Sequence, residues 1–218
     1  MADTNTGQAF FFGCIVTNMI DITEQTILTC AKAILDNSSN DVLVCSEIQS
    51  YSLDTTVVNI GSRLCTVNAS VWHAADALYN QIDISTFSTV TGYATGGAVA
   101  LALAVISAER CSICPTVCSF SAPPVGNRMF AQVAACIRHL RVRLADDVIS
   151  TQGWSLNHNC VAIPLGESHC TCLDMYRSRF WTEYTSSPKS ELMQLYMHRV
   201  INNLFDSTHG DCWVAVDI

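Results

Sequence analysis

The stretch Val90-Thr91-Gly92-Tyr93-Ala94-Thr95-Gly96-Gly97-Ala98 decides how this chain folds, because it joins a strand-like run to a helix-like run through three glycines. Residues 84–91 are rich in β-branched side chains and read as a short buried strand, whereas residues 98–108 are an almost unbroken run of Ala, Leu, Val and Ile and read as a buried helix. A strand that reverses sharply into a helix strains the backbone at the bend. Gly92 and Gly96 supply the clearance that lets the turn and helix pack close to the sheet. Ala94 stands at the bend itself.

The spacing Gly92-x-Ala94-x-Gly96 has the form of GxSxG, the turn in which a serine hydroxyl projects beyond a sheet and a helix amino terminus helps to stabilise an oxyanion. Alanine has no hydroxyl, so no acyl-enzyme can form at residue 94. Taken alone, the turn leaves three readings open: a glycine-rich bend before a core helix, a nucleophile lost in descent, or a serine deliberately replaced.

Other segments stand in the order expected of a known family. Ser119-Phe120-Ser121-Ala122-Pro123-Pro124-Val125-Gly126-Asn127-Arg128-Met129-Phe130-Ala131 resembles the "TFGSPRVGNxxFA" segment of class 3 lipases, one strand after the elbow helix. Upstream, Val71-Trp72-His73-Ala74-Ala75-Asp76-Ala77-Leu78 is similar to the family's "VHxGFxxA", and downstream residues 141–149 are similar to the "RVxNxxDxVP" strand and turn. The resemblance covers roughly residues 25–205. It implies an α/β-hydrolase fold, a mostly parallel sheet with helices on both faces, as a single domain over residues 1–218.

The resemblance also assigns catalytic positions. Ala94 falls at the nucleophile and Asp146 at the acid, while Glu191 falls where the histidine belongs. A glutamate beside Asp146 cannot serve as the neutral, proton-shuttling base of such a triad. His198, and after it His209, are the alternative bases within reach in sequence. The family's oxyanion turn reads "RGT", but the predicted strand 41–45 here runs into Ser46-Glu47-Ile48-Gln49, and a carboxylate at Glu47 opposes the developing negative charge. A single designed substitution accounts only for Ala94, so natural loss of activity explains more of the pattern. The resulting expectation is a catalytically inactive domain working as a structural or protein-interaction module, for example within a viral particle. The alternative is an active class 3 lipase or esterase carrying an engineered serine-to-alanine change at residue 94.

Composition bounds these readings. The 218 residues can bury one substantial core, and 50% hydrophobic against 14% charged residues, with a mean hydropathy of +0.28, has two sources open: parallel strands and an elbow helix buried on both sides, or an exposed face reserved for a partner or for self-association. A net charge of −8 excludes a nucleic-acid surface; Arg138, Arg141 and Arg143 cluster only locally and read as a solvated face. The longest apolar run is far short of a membrane span, and the first residues are polar and acidic with no secretory pattern. Twelve scattered cysteines therefore read as small buried thiols in a reducing compartment, placing the chain in the cytoplasm or in a particle assembled inside cells. Cys111, Cys114 and Cys118, and the group His158, Cys160, His169, Cys170 and Cys172, contain ligand-like residues without a complete four-ligand set; no metal or other cofactor is expected. An acyl-chain ligand in a retained pocket is a weaker expectation.

Strand and helix patterns alternate along the chain. Strands are expected at 9–19, 42–45, 84–91, 115–120 and 140–145, with an extended segment near 55–60 and an edge strand at 212–216. Helices are expected at 23–35, 71–80, 98–108, 126–139 and 189–204. The segment from Ser50 to Thr66 stands where the family often carries its lid and reads as a reduced one; residues 149–187 read as loops.

Overall fold

A computed structural model describes residues 23–36, 41–49, 51–144, 156–160, 162–165 and 189–206. The elements, in order, are helix α1 (23–36), strands β1 (Val42–Cys45), β2 (Thr55–Ile60) and β3 (Arg63–Asn68), helix α2 (Ala69–Tyr79), a single 3₁₀ turn (Ile84–Thr86), strand β4 (Thr89–Tyr93), helix α3 (Thr95–Cys111), strand β5 (Thr116–Phe120), helix α4 (Arg128–Ala134), strands β6 (His139–Leu144) and β7 (Ile163–Leu165), and helix α5 (Lys189–Asp206). Five strands form one sheet in the order β1-β4-β5-β6-β7, and every neighbouring pair is parallel. The expected α/β architecture is present.

An all-parallel sheet must be covered on both faces, and its strands alternate between two cores. One core gathers α2, α3 and the β2–β3 hairpin around Val90 and Val117. The other gathers α1 and α5 around Tyr93, Cys118, Phe120 and Val142. Helix α3 is buried from Gly96 to Ser107 without interruption, which is why its sequence carries no polar stripe. The thiol burial is uneven: Cys30, Cys45, Cys65 and Cys118 are enclosed, whereas Cys111, Cys114 and Cys136 are exposed. Burial pushes the Cys45 thiol up to about 12, leaving it unreactive.

Several sequence expectations shift. The segment 84–91 is not one strand: Asp83 accepts hydrogen bonds from the Ser85 amide at 3.0 Å and its hydroxyl at 2.6 Å, which winds residues 84–86 into a 3₁₀ turn and delays β4 to Thr89. The expected lid segment is instead the antiparallel hairpin β2–β3, in register from Thr55↔Asn68 to Ile60↔Arg63 about a turn whose Gly61 has φ 60°. Helix 126–139 shortens to residues 128–134, because Asn127 caps its start by accepting from the Phe130 amide and the chain turns after Ala135 into β6. A fifth parallel strand, β7, lies in the stretch read as loop. Arg141 is buried at 7% exposure, so the arginine cluster is not one solvated face; only Arg138 is fully outward. The expected strands at 9–19 and 212–216 lie outside the described residues. No helix among the described residues is long and apolar enough to cross a membrane.

The Pro-Val-Gly-Asn segment ties the layers together. The Asn68 amide donates to Val125 O at 2.8 Å, the Asn127 amide to Thr66 O at 2.8 Å, and the Asn68 side chain caps α2 by accepting from the Val71 amide at 3.0 Å. The segment thus stitches the hairpin to α4. Replacing the cap, Asn68→Ala, removes that bond and also the Nδ2 donation to Ser52 O at 2.7 Å. A loss of roughly 2 kcal/mol in urea unfolding is expected for this buried position.

Candidate functional site

Between β4 and α3 the chain reverses at Ala94, whose backbone lies at φ 48°, ψ −123°. That conformation belongs to glycine in type II′ turns and is strained for any residue with a Cβ. Two close backbone approaches hold it there. A Cβ at Gly92 would collide with the Gly96 carbonyl and the Gly97 amide, and one at Gly96 would collide with the Cys45 carbonyl. Only hydrogen fits at either position, so α3 leaves the sheet at a fixed angle. The Ala94 amide donates to Phe120 O at 2.9 Å, and the Ala94 carbonyl accepts from the Gly97 and Ala98 amides. The bend is therefore fully engaged on its backbone side.

The side chain at the bend is a methyl group with 1% exposure. It belongs to the α1 and α5 core, next to Tyr93, whose ring is 5.1 Å from that of Tyr196 at an interplanar angle of 55°. Helix α5 presents Tyr196, Met197, Val200 and Leu204 to this core. His198, the alternative base, is exposed on another side of the same helix and is not brought to the elbow. Glu191 stands in the first turn of α5. Asp146 and His209 lie outside the described residues. Of the assigned positions, the structure thus places Ala94 at the bend and α5 beside it, with an aromatic and sulfur surface facing inward.

The turn after β1 is pinned to the start of α3. The Ile48 amide donates to Thr95 Oγ1 at 2.9 Å, and Ser46 and Glu47 occupy the positions of the expected oxyanion turn, exposed and half-buried respectively. Thr95 enters the site through this bond, which sequence reading missed because its partner lies 47 residues away. The first cysteine grouping does not converge: Cys118 is enclosed on β5 while Cys111 and Cys114 are exposed at and beyond the far end of α3; His169, Cys170 and Cys172 of the second lie outside the described residues, and no three metal-binding side chains gather among the described ones.

A second polar constellation was also invisible in the sequence. Ser119 Oγ is 2.7 Å from His139 Nε2, and His139 Nδ1 is 2.8 Å from Asn159 Oδ1. These residues are spaced 20 apart on three separate segments, and no local motif announces them.

Comparison with known proteins follows this geometry. Residues 23–152 match the profile of the family described as Lipase (class 3). No curated protein sequence matches the chain. Solved structures that resemble it include a lipase from Yarrowia lipolytica, at 19% identity over 47% of this chain and 44% of that one with a TM-score of 0.42. A triacylglycerol lipase from Penicillium expansum matches at 11% identity over 65% of this chain and 77% of that one, with a TM-score of 0.47. Lipase II from Rhizopus niveus matches at 20% over 57% and 56%, TM-score 0.47. The chain spans less than half the length of the Yarrowia enzyme.

The strain at residue 94 has a measurable consequence. Ala94→Gly relieves a conformation costing on the order of 1–3 kcal/mol, against about 1–2 kcal/mol for the lost methyl and the freer unfolded chain. The same change at Ala100, buried inside α3, relieves nothing and loses roughly 2 kcal/mol. Urea unfolding of the two variants is expected to show Ala94→Gly near neutral and Ala100→Gly clearly destabilised.

Proposed function

The chain belongs to the class 3 lipase family, and on that premise we propose that it acts as a binding or interaction domain on a lipase frame, without acyl transfer at its own elbow. The methyl group of Ala94 carries this reading: covalent catalysis at the bend needs an oxygen nucleophile, and residue 94 offers none. Three neighbours support it. The inward surface of α5 is Tyr196 and Met197, while the imidazole of His198 is exposed. The turn after β1 carries a half-buried Glu47 at the position of the family's oxyanion turn, where a carboxylate opposes developing negative charge. Val57 and Leu64 on the hairpin and Leu53 just ahead of it are exposed, at 64%, 70% and 69%, as apolar surface suited to a protein partner or a further copy within an assembly such as a particle.

A second reading is favoured by the family itself and by the bend. The elbow keeps the strained conformation that presents a nucleophile, although Ala94 gains no chemistry from it. In that reading the chain is an ester hydrolase whose serine was replaced by Ala94, with Asp146 as acid and His198 or His209 as base.

Ala94→Ser separates the two. Assayed on short-chain p-nitrophenyl esters, the variant is expected to hydrolyse no faster than the parent, as is Ala94→Ser combined with Glu191→His, while size-exclusion chromatography of the parent shows a stable assembly. Turnover restored by Ala94→Ser alone would replace the binding reading with the hydrolase.

A further inference from the structure

On the sheet face covered by α3, Ser119, His139 and Asn159 form a connected chain of side chains. The Asn159 amide nitrogen donates to the Ala134 carbonyl at 3.2 Å, which fixes its oxygen toward His139 Nδ1 at 2.8 Å. An amide oxygen only accepts, so Nδ1 carries the imidazole proton, and Nε2 accepts from the Ser119 hydroxyl at 2.7 Å. Both ring bonds are satisfied by neutral histidine. Hydroxyl, imidazole and amide stand in the order of a nucleophile, its base and an orienting group. Ser119 is fully enclosed, however, with its Cβ against the first turn of α3, so no substrate carbonyl reaches its oxygen.

What the chain does hold is a piece of backbone. Residues 156–160 lie against the rest of the fold through the Asn159 bonds, through the Asn157 amide donating to Gly126 O at 2.6 Å, and through Cys160 Sγ at 3.6 Å from His139 O. Strand β7, the outermost on this side of the sheet among the described residues, pairs with β6 from Val142↔Ile163 to Leu144↔Leu165. We infer that Ser119, His139 and Asn159 form a proton-controlled latch that holds residues 156–160, and with them β7, onto β6, and that acidification opens it.

The sign follows from the environment of the ring. Burial is the main cause that holds the His139 pKa down to about 4; the Asn159 bond opposes it and the Arg141 charge adds to it. A released imidazole returns toward its ordinary value of 6.5. The open state therefore takes up a proton that the closed state refuses, and closure weakens as pH falls from 6.5 toward 4. Among the described residues, the charged and titratable groups facing the ring are Arg141 on the same strand and the Cys160 thiol, which burial raises, 3.5 Å from Nδ1. Neighbouring β5 and the end of α4 contribute only the Ser119 hydroxyl and the Ala134 carbonyl. His158 is the imidazole on the latched segment itself and serves as the control.

Hydrogen exchange read by mass spectrometry on the full chain, corrected for intrinsic rates, tests the latch. Opening of residues 156–160 and β7 is expected to rise about thirtyfold from pH 7.5 to 5.0, while α3 keeps its protection. In His139→Gln the rise disappears; in His158→Gln it persists. The latch is overturned by a flat profile, by α3 losing protection in step, or by a pH slope that survives in His139→Gln. Should that variant fail to fold, the imidazole proton resonance of His139 in the parent decides: a titration midpoint below 5 supports the latch and one near 6.5 removes it.

Discussion

Helix α3 meets the sheet backbone to backbone. At Gly92 and Gly96 there is space for a hydrogen and nothing more, and the amide of Ile48 is tied across the gap to Thr95. This contact sets the angle at which the most buried helix leaves β4, and both cores are filled on either side of that choice. A side chain at Gly92 or Gly96 would push α3 off β1 and open the interior along its whole length. Ala94 tolerates its strained backbone because these contacts leave it no alternative.

The two faces of the sheet carry different chemistry. Toward α1 and α5 the surface is aromatic, thiol and thioether, with Tyr93 against Tyr196 and with Cys30, Cys118 and Met197 enclosed. Toward α3 the centre is aliphatic and the β5–β6 margin is polar, with Ser119, His139 and Asn159 satisfying one another. Buried polar groups are tolerated where each donor finds an acceptor. The residue at the elbow faces the first of these surfaces.

Legibility followed the range of the forces involved. The elbow was readable because Gly92 is required by a contact within five residues and Gly96 stands at the matching spacing, although the backbone that Gly96 clears, at Cys45, is distant in sequence; α3 was readable because a continuous apolar run admits few other readings. Strand β1 and helices α1 and α5 were readable for similar local reasons. The 3₁₀ turn at Ile84 was not, since one aspartate side chain overrides the β-branched composition. The hairpin was hidden by its mixed pattern, in which Val57 and Leu64 face outward. Nothing near Arg141 signals its burial, and β7 is three residues long and exists only through its pairing with β6. At the site, the identity of residue 94 was plain, but the face that α5 turns inward, and with it the exposure of His198, depended on tertiary packing.

The strand order also governs how the chain assembles in time. Strands β4, β5 and β6 follow one another closely, so their parallel pairs close over short crossovers. Strand β1 must wait for β4, since Val42 pairs with Thr89, and the clamp from Ile48 to Thr95 closes a loop of 47 residues. Closing such a loop slows folding more than it weakens the finished fold. During synthesis Val42-Leu43-Val44-Cys45 emerges well before β4, its sheet partner among the described residues, and that pairing waits until the elbow strand has formed. The glycines that shape the bend thus also set the moment at which this strand is paired, and variants that slow the bend are expected to reveal themselves first as poor solubility.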